Sequence, residues 1–218
     1  MITPNYTSLD GRIRFYNCDC MELMGSGKVW DLAVVDPPYG IGIDGQKENV
    51  KGKKSDRKKH AKKNWDNEIP EKNYFDTLFA VSENQIIWGA NYFVKYLSIG
   101  RKGWVIWDKK QHGLTMSDCE IAFGSFDVPT RIWYKNRCVL KEQNTIHPTE
   151  KPISLYRWIL QNYAKAGDTI LDTHGGSMSS AIACHMEGFE LDICEIDKEY
   201  FDAAVNRFKI YEQQQKLF

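Results

Sequence analysis

The chain has 218 residues, 42% hydrophobic and 27% charged, with a formal net charge of +0. That is an ordinary globular composition, long enough for one domain with a sizeable core. With no apolar run near the ~18 residues of a membrane span and no secretory h-region, a membrane or secreted protein is not expected and the reading is cytoplasmic. The neutral average hides an asymmetry: residues 47–63 carry nine Lys/Arg against Glu48 and Asp56, net +7, and the remainder sums to −7. A basic segment on an acidic body suits contact with a polyanion.

In chain order, residues 12–17 (RIRFYN) alternate charged and apolar side chains and read as a strand. Residues 31–35 are a short apolar run, as in a strand buried on both faces. Residues 44–64 lack periodicity and read as a basic mobile loop. After Pro70, the spacing of Tyr74, Phe75, Leu78 and Phe79 predicts a helix over 71–82. Short strands are expected at 85–88, 104–107, 119–123 and 131–134. Pro152 opens a helix running to about residue 164. Gly167-Asp168 then turns into a strand over 169–171, followed by a helix over 177–187, a strand over 191–195 and a last helix from 198 to about 212. There are no internal repeats. The alternation predicts an α/β fold, a doubly wound and mostly parallel sheet in one domain spanning 1–218. The six cysteines are scattered, and Cys18-Asp19-Cys20 has no second Cys/His pair at ligand spacing. They read as reduced thiols, with no metal site expected.

Two stretches carry chemistry. In AVVDPPYGIG (residues 33–42) a buried strand delivers Asp36, then Pro37, Pro38 and Tyr39. An exocyclic amino nitrogen on a base is a poor nucleophile because its lone pair is delocalised into the ring. The Asp36 carboxylate and the Pro37 carbonyl can accept its two hydrogens and favour a pyramidal nitrogen, while proline holds the turn without offering an N–H. Tyr39 is placed to stack on the base, and Asp36 to stabilise the cationic nitrogen and take its proton. The plainer reading is a rigid turn with Asp36 as a cap. In residues 169–197 a strand ends at Asp172, a turn with His174, Gly175, Gly176 and Ser177 leads into a helix, and Glu195 ends the next strand. This is the βαβ pattern for a nucleoside cofactor, with an acid for the ribose hydroxyls, although a full GxGxxG is missing.

These stretches, with NCDCMELM, Trp65-Asp66, IIWGANYF, WVIWDKK, SDCEIAF and HPTEKP in order from residue 17 to 208, resemble the β group of DNA amino-methyltransferases. DPPY is more similar to the adenine-modifying members than to the cytosine-modifying ones. The resemblance implies a Rossmann-like methyltransferase fold, S-adenosyl-L-methionine as methyl donor, duplex DNA as substrate with base flipping, and a homodimer. By position, Asp36, Pro37, Pro38 and Tyr39 match the catalytic motif. Asp172, His174, Gly175, Gly176 and Ser177 match the cofactor turn, Glu195 the ribose acid, Asp19 with Cys20 the cofactor's adenine side, and Thr149 with Lys151 the methionine end. Trp107, Asp108 and Lys109 match a strand end beside the target pocket. Because the glycine-turn strand comes late, the resemblance implies a circularly permuted sheet in which strand 12–17 lies beside the strand ending at Glu195.

Two departures stand out. Met178 occupies a place where relatives carry glycine, and a β-carbon and thioether there would crowd the helix start. The stretch between Tyr134 and His147 is too short for a target-recognition domain. DNA contact is therefore expected from the basic loop: Lys51, Lys53, Lys54, Arg57, Lys58, Lys59, Lys62 and Lys63. Lysines there would hold phosphate and confer little base discrimination. The rival readings are a cytosine amino-methyltransferase, an RNA or protein methyltransferase, and a non-catalytic DNA-binding module of the same fold. Neither a recognition sequence nor a partner nuclease is legible.

Overall fold

A computed structural model describes residues 2–43, 63–97, 102–111, 113, 117–136, 146–147 and 149–214. In order these form β1 (Tyr6–Thr7), β2 (Ile13–Tyr16), α1 (Cys20–Met24), β3 (Trp30–Val35), α2 (Lys72–Val81), β4 (Ser82–Trp88), β5 (Val105–Asp108), β6 (Cys119–Gly124), β7 (Arg131–Tyr134), α3 (Ile153–Tyr163), β8 (Thr169–Asp172), α4 (Ser179–Glu187), β9 (Glu190–Cys194) and α5 (Lys198–Gln214). The nine strands make one sheet in the order β1-β2-β9-β8-β3-β4-β6-β5-β7.

Period-two alternation along each strand divides the core into two layers. On one face, Ile13, Phe15, Leu32, Val34, Ile170, Leu191 and Ile193 pack beneath α3, α4 and α5. On the other, Ala33, Val35, Ile87, Leu171 and Cys194 meet Leu23 and Met24 of α1 and Tyr74, Phe75 and Leu78 of α2. The sheet is thus covered on both sides.

From β2 through β9, β8 and β3 to β4 all neighbours are parallel. Ile13 pairs with Leu191 and Tyr16 with Cys194, so the strand read from RIRFYN lies beside the strand that leads to Glu195. Beyond β4 the mostly parallel sheet acquires antiparallel neighbours: β6 is antiparallel to both β4 and β5, and β7 returns parallel to β5. The cause is connection length. The ten residues joining β5 to β6 contain no helix among those described, and a parallel crossover needs a dozen or more. The two-residue β1, antiparallel to β2, and the five-residue α1 also escaped the periodicity reading. Both are too short to display a period.

Candidate active site

The carboxyl ends of parallel strands are where α/β sheets bind ligands. Here Asp36 follows β3, Asp172 closes β8 and Glu195 follows β9. A cavity of about 270 Å³ lies over these ends, lined by Asp36 and Pro38 on one side and by His174, Gly175, Gly176, Ser177 and Glu195 on the other. Thr149 and Lys151 also line it, as do Trp65, His147 and Tyr200. The proline turn and the glycine turn, more than 130 positions apart in the chain, therefore share one cleft.

The proline turn is held from outside itself. Asp66, buried, accepts the backbone N–H groups of Tyr39 (2.7 Å), Gly40 (2.9 Å) and Ile43 (3.0 Å). The Tyr39 hydroxyl donates to Asp36 Oδ1 at 2.5 Å. Its ring stacks on Tyr92, centroids 5.1 Å apart and planes at 14°. Gly89, at φ +74°, lies so close to the ring that a Cβ would sit 2.1 Å from Tyr39 Cε1. Tyr39, expected from sequence to stack on a base, thus already has an aromatic neighbour and does not itself line the cavity; Tyr92, 40% exposed, is the outer ring of the pair.

Asp36 Oδ2 accepts from the Lys151 ammonium. Burial pushes the Asp36 carboxyl above the usual range, Lys151 pulls it back, and Glu120 pushes it up again. Burial alone would lower the Lys151 ammonium, but Asp36 and Glu120 together raise it. Lys151 was expected at the methionine end of a cofactor; it lines the cavity, and its charge is committed to the acid of the proline turn. Glu120, in β6, is 3.1 Å from Lys151 Nζ and 2.8 Å from Lys109 Nζ. Burial would raise it, but the two ammoniums hold it down at about 2. Lys109, assigned from sequence to the target pocket, thus serves Glu120.

On the opposite wall, Asp172 is buried and accepts from Ser180 Oγ (2.5 Å) and the His174 N–H (3.1 Å). It shapes the turn and does not itself line the cavity. Burial lifts its carboxyl to about 7, well above the ordinary aspartate range. Folding therefore takes up a proton between about pH 4 and 7, and the stability this confers is lost as pH rises through that window. Asp172→Asn is expected to abolish that dependence and to be the more stable form at pH 8 by up to about 4 kcal/mol. Urea unfolding at both ends of the window checks this; equal differences between the two proteins at each pH would exclude titration of Asp172. His174 is held neutral, its imidazole lowered to about 4 by burial. Glu195 accepts from the Gly176 N–H and the Asp197 N–H, both at 2.8 Å, and burial raises its carboxyl.

Met178, whose side chain the sequence marks as able to crowd the helix start, is accommodated there. It takes φ 53° and ψ 36°, the conformation a glycine would supply, as the residue capping α4, and its side chain is buried in the core. Met178→Gly relieves about 1 kcal/mol of left-handed strain but empties a core position worth about 2–5 kcal/mol. A net loss of stability of about 1–4 kcal/mol is expected in urea unfolding, and a gain would contradict the assignment.

Other expected site residues are placed elsewhere. Asp19 caps α1 by accepting from the Met21 N–H at 2.7 Å, and neither it nor Cys20 lines the cavity. Asp19 does act on His174 electrostatically, raising it against burial. Lys63, expected on DNA phosphate, is paired with Asp197 (2.8 Å) and Glu199 (2.6 Å) and lies 4.5 Å from the Tyr200 ring centroid, because the cavity rim offers it two carboxylates and an aromatic face. Lys51, Lys53, Lys54, Arg57, Lys58, Lys59 and Lys62 lie outside the described residues, as does Cys138. Sequence reasoning assigned no role to Glu120, Tyr92 or Asp66. A carboxylate inside the apolar run CEIAF was the available signal for Glu120.

Residues 106–206, a little under half of the chain, match the family model N6_N4_Mtase, described as DNA methylase. Among solved structures, the M1.HpyAVI–SAM complex superposes with a TM-score of 0.61 at 18% identity, covering 89% of this chain and 98% of that one. PvuII DNA methyltransferase (cytosine-N4-specific) gives 0.61 at 14% identity, covering 97% and 94%. A putative DNA modification methylase from Thermus thermophilus, complexed with S-adenosyl-L-methionine, gives 0.56 at 16% identity, covering 91% and 93%. This is a methyltransferase fold. The cavity of this fold joins the proline turn and the glycine turn. No helix among the described residues is long and apolar enough to cross a membrane.

Proposed function

We propose that the protein is a DNA amino-methyltransferase that uses S-adenosyl-L-methionine to methylate the N6 amino group of adenine in duplex DNA, with the target base flipped out of the stack. The observation that carries this reading is the shared cavity, with Asp36 and Pro38 on one wall and Gly175, Gly176 and Glu195 on the other. The family match and the S-adenosyl-L-methionine held by two of the similar structures support the donor.

The residues present fit that donor. At Gly175 a Cβ would meet Ile193 Cγ1 at 3.0 Å, so the backbone alone forms this part of the wall. Glu195 supplies acceptors for a ribose, and Ser177 and Thr149 are the hydroxyl-bearing residues that line the cavity. When bound, S-adenosyl-L-methionine supplies the methyl group on a sulfonium that leaves without protonation. The protein's own part is to align the amino nitrogen through Asp36 and the Pro37 carbonyl, to keep water out, and to stabilise positive charge on that nitrogen through Asp36. His174, held neutral, puts no positive charge beside a cationic donor.

DPPY favours adenine, whereas the cytosine-N4-specific PvuII enzyme is among the structures this fold resembles, so N4-cytosine methylation is the second reading. Incubation with methyl-labelled donor and mixed-sequence duplex DNA, then mass analysis of the digested nucleosides, separates them. N6-methyladenine is the expected product. Calorimetry showing no donor binding at micromolar levels, with no methylated nucleoside formed, would point to a non-catalytic module. The reading also includes a circularly permuted order of the sheet, phosphate contacts from the basic loop and a homodimer. Light scattering tests the homodimer.

A further inference from the structure

The acid proposed to receive the target amino group is not free in this structure: Lys151 donates to its Oδ2 and Tyr39 to its Oδ1. Withdrawing Lys151 from Asp36 with nowhere to go would leave an ammonium buried to 2% exposure without a partner, which is strongly unfavourable. Glu120 provides the destination. Its Oε1 is fixed by Lys109 at 2.8 Å, while its Oε2 is buried, 3.1 Å from Lys151 Nζ, and has no aligned hydrogen-bond donor. A buried carboxylate oxygen without a donor is costly in a native core unless something moves to fill it. Glu120 itself cannot follow Lys151, because it sits in β6 between β4 and β5. Two carboxylates and two ammoniums make the cluster neutral, and it stays neutral whichever carboxylate Lys151 serves.

We propose that Glu120 is a positioning residue that offers the Lys151 ammonium a second seat: when a target amino group donates to Asp36, Lys151 turns from Asp36 Oδ2 to Glu120 Oε2. The exchange frees an acceptor on Asp36 without stranding a charge. This rests on the methyltransferase reading above. The groups that act on the cluster are Tyr39 beside Asp36, Lys109 beside Glu120, and, at longer range, Tyr156 and Asp172.

The test is Glu120→Gln in the full chain, with Glu120→Asp as conservative rescue. The double variant Glu120→Gln/Lys109→Met keeps the buried charge balanced if the single variant fails to fold. Single-turnover transfer from labelled donor to mixed-sequence duplex DNA is followed from about pH 5 to 9. The Gln variants are expected to lose roughly ten-fold or more in rate with the KM for donor unchanged within about two-fold. The acid limb of the profile moves to lower pH, since Lys151 then belongs to Asp36 alone, and Glu120→Asp restores most of the rate. Wild-type rate and an unmoved acid limb in the folded double variant would overturn the proposal. A carbon-13 NMR titration of the Asp36 carboxyl needs no turnover: a midpoint that falls on losing Glu120 supports the second seat, and an unmoved one refutes it. A wild-type protein that transfers no methyl group sinks the functional reading alone, and the titration still decides Glu120.

Discussion

Asp36→Ala is expected to lower kcat by roughly 10²–10⁴-fold, the range for a group that accepts a proton and stabilises developing charge. Donor affinity should change by no more than a few-fold, because the glycine turn and Glu195 form the other wall of the cavity. Removing one member of a buried ion pair often costs about 3–5 kcal/mol by leaving its partner bare. Here Lys151 retains Glu120 at 3.1 Å, so a smaller loss, about 1–3 kcal/mol, is expected. Asp36→Asn separates the two contributions, since it keeps an acceptor oxygen and loses the charge. Calorimetry with the donor, urea unfolding and single-turnover transfer read the three quantities independently. Transfer at the wild-type rate by the alanine variant would remove Asp36 from the chemistry altogether.

The second large effect is expected at Asp66, which does not line the cavity. Its carboxylate gathers three N–H groups of the proline turn, and no other acceptor for them is present among the described residues. Asp66→Ala leaves these donors without a charged acceptor, at a cost of roughly 2–4 kcal/mol where water cannot replace it. The turn then loses the restraint that orients Asp36 and Tyr39, and a fall in kcat of about 10–100-fold should follow with donor affinity preserved. Urea midpoints and transfer rates measure both parts. A stability loss with kcat intact would show that Asp66 supports the fold and has no bearing on the alignment of the turn.

Much of this arrangement was legible before any coordinates. The strands at 119–124 and 131–134 and the helices at 72–81 and 153–163 follow from apolar spacing to within about one residue. The proline turn and the glycine turn were legible because each couples an apolar strand to residues with a special backbone role. What was not legible depends on contacts between distant segments. Asp66 reads as one more acid after a basic stretch, and only folding brings it under Tyr39. Glu120 reads as an isolated charge in an apolar run until β5 and β6 pair and set Lys109 beside it. Lys63 belongs by composition to a polycationic stretch, yet its partners Asp197 and Glu199 lie 134 and 136 positions away. How Met178 is accommodated was not legible for a different reason: the buried site that receives its side chain is formed only on folding. The antiparallel edge was missed because strand direction is set by the connection, and periodicity carries no direction.

The position of β9 has a consequence for how the molecule comes into being. Among the parallel strands it is synthesised last, yet it is inserted between β2 and β8, and the N-terminal segment is further tied to α5 by Glu212, which accepts from Tyr6 Oη at 2.9 Å and from the Leu9 N–H at 2.6 Å. During translation, β2 emerges from the ribosome more than 170 positions ahead of its neighbour in the sheet. The nascent chain can therefore assemble β3 and β4 early, but its N-terminal strands must wait for residues 190–194. Glu195 follows directly, so a prematurely terminated product could neither close its sheet nor bring Glu195 to the cavity.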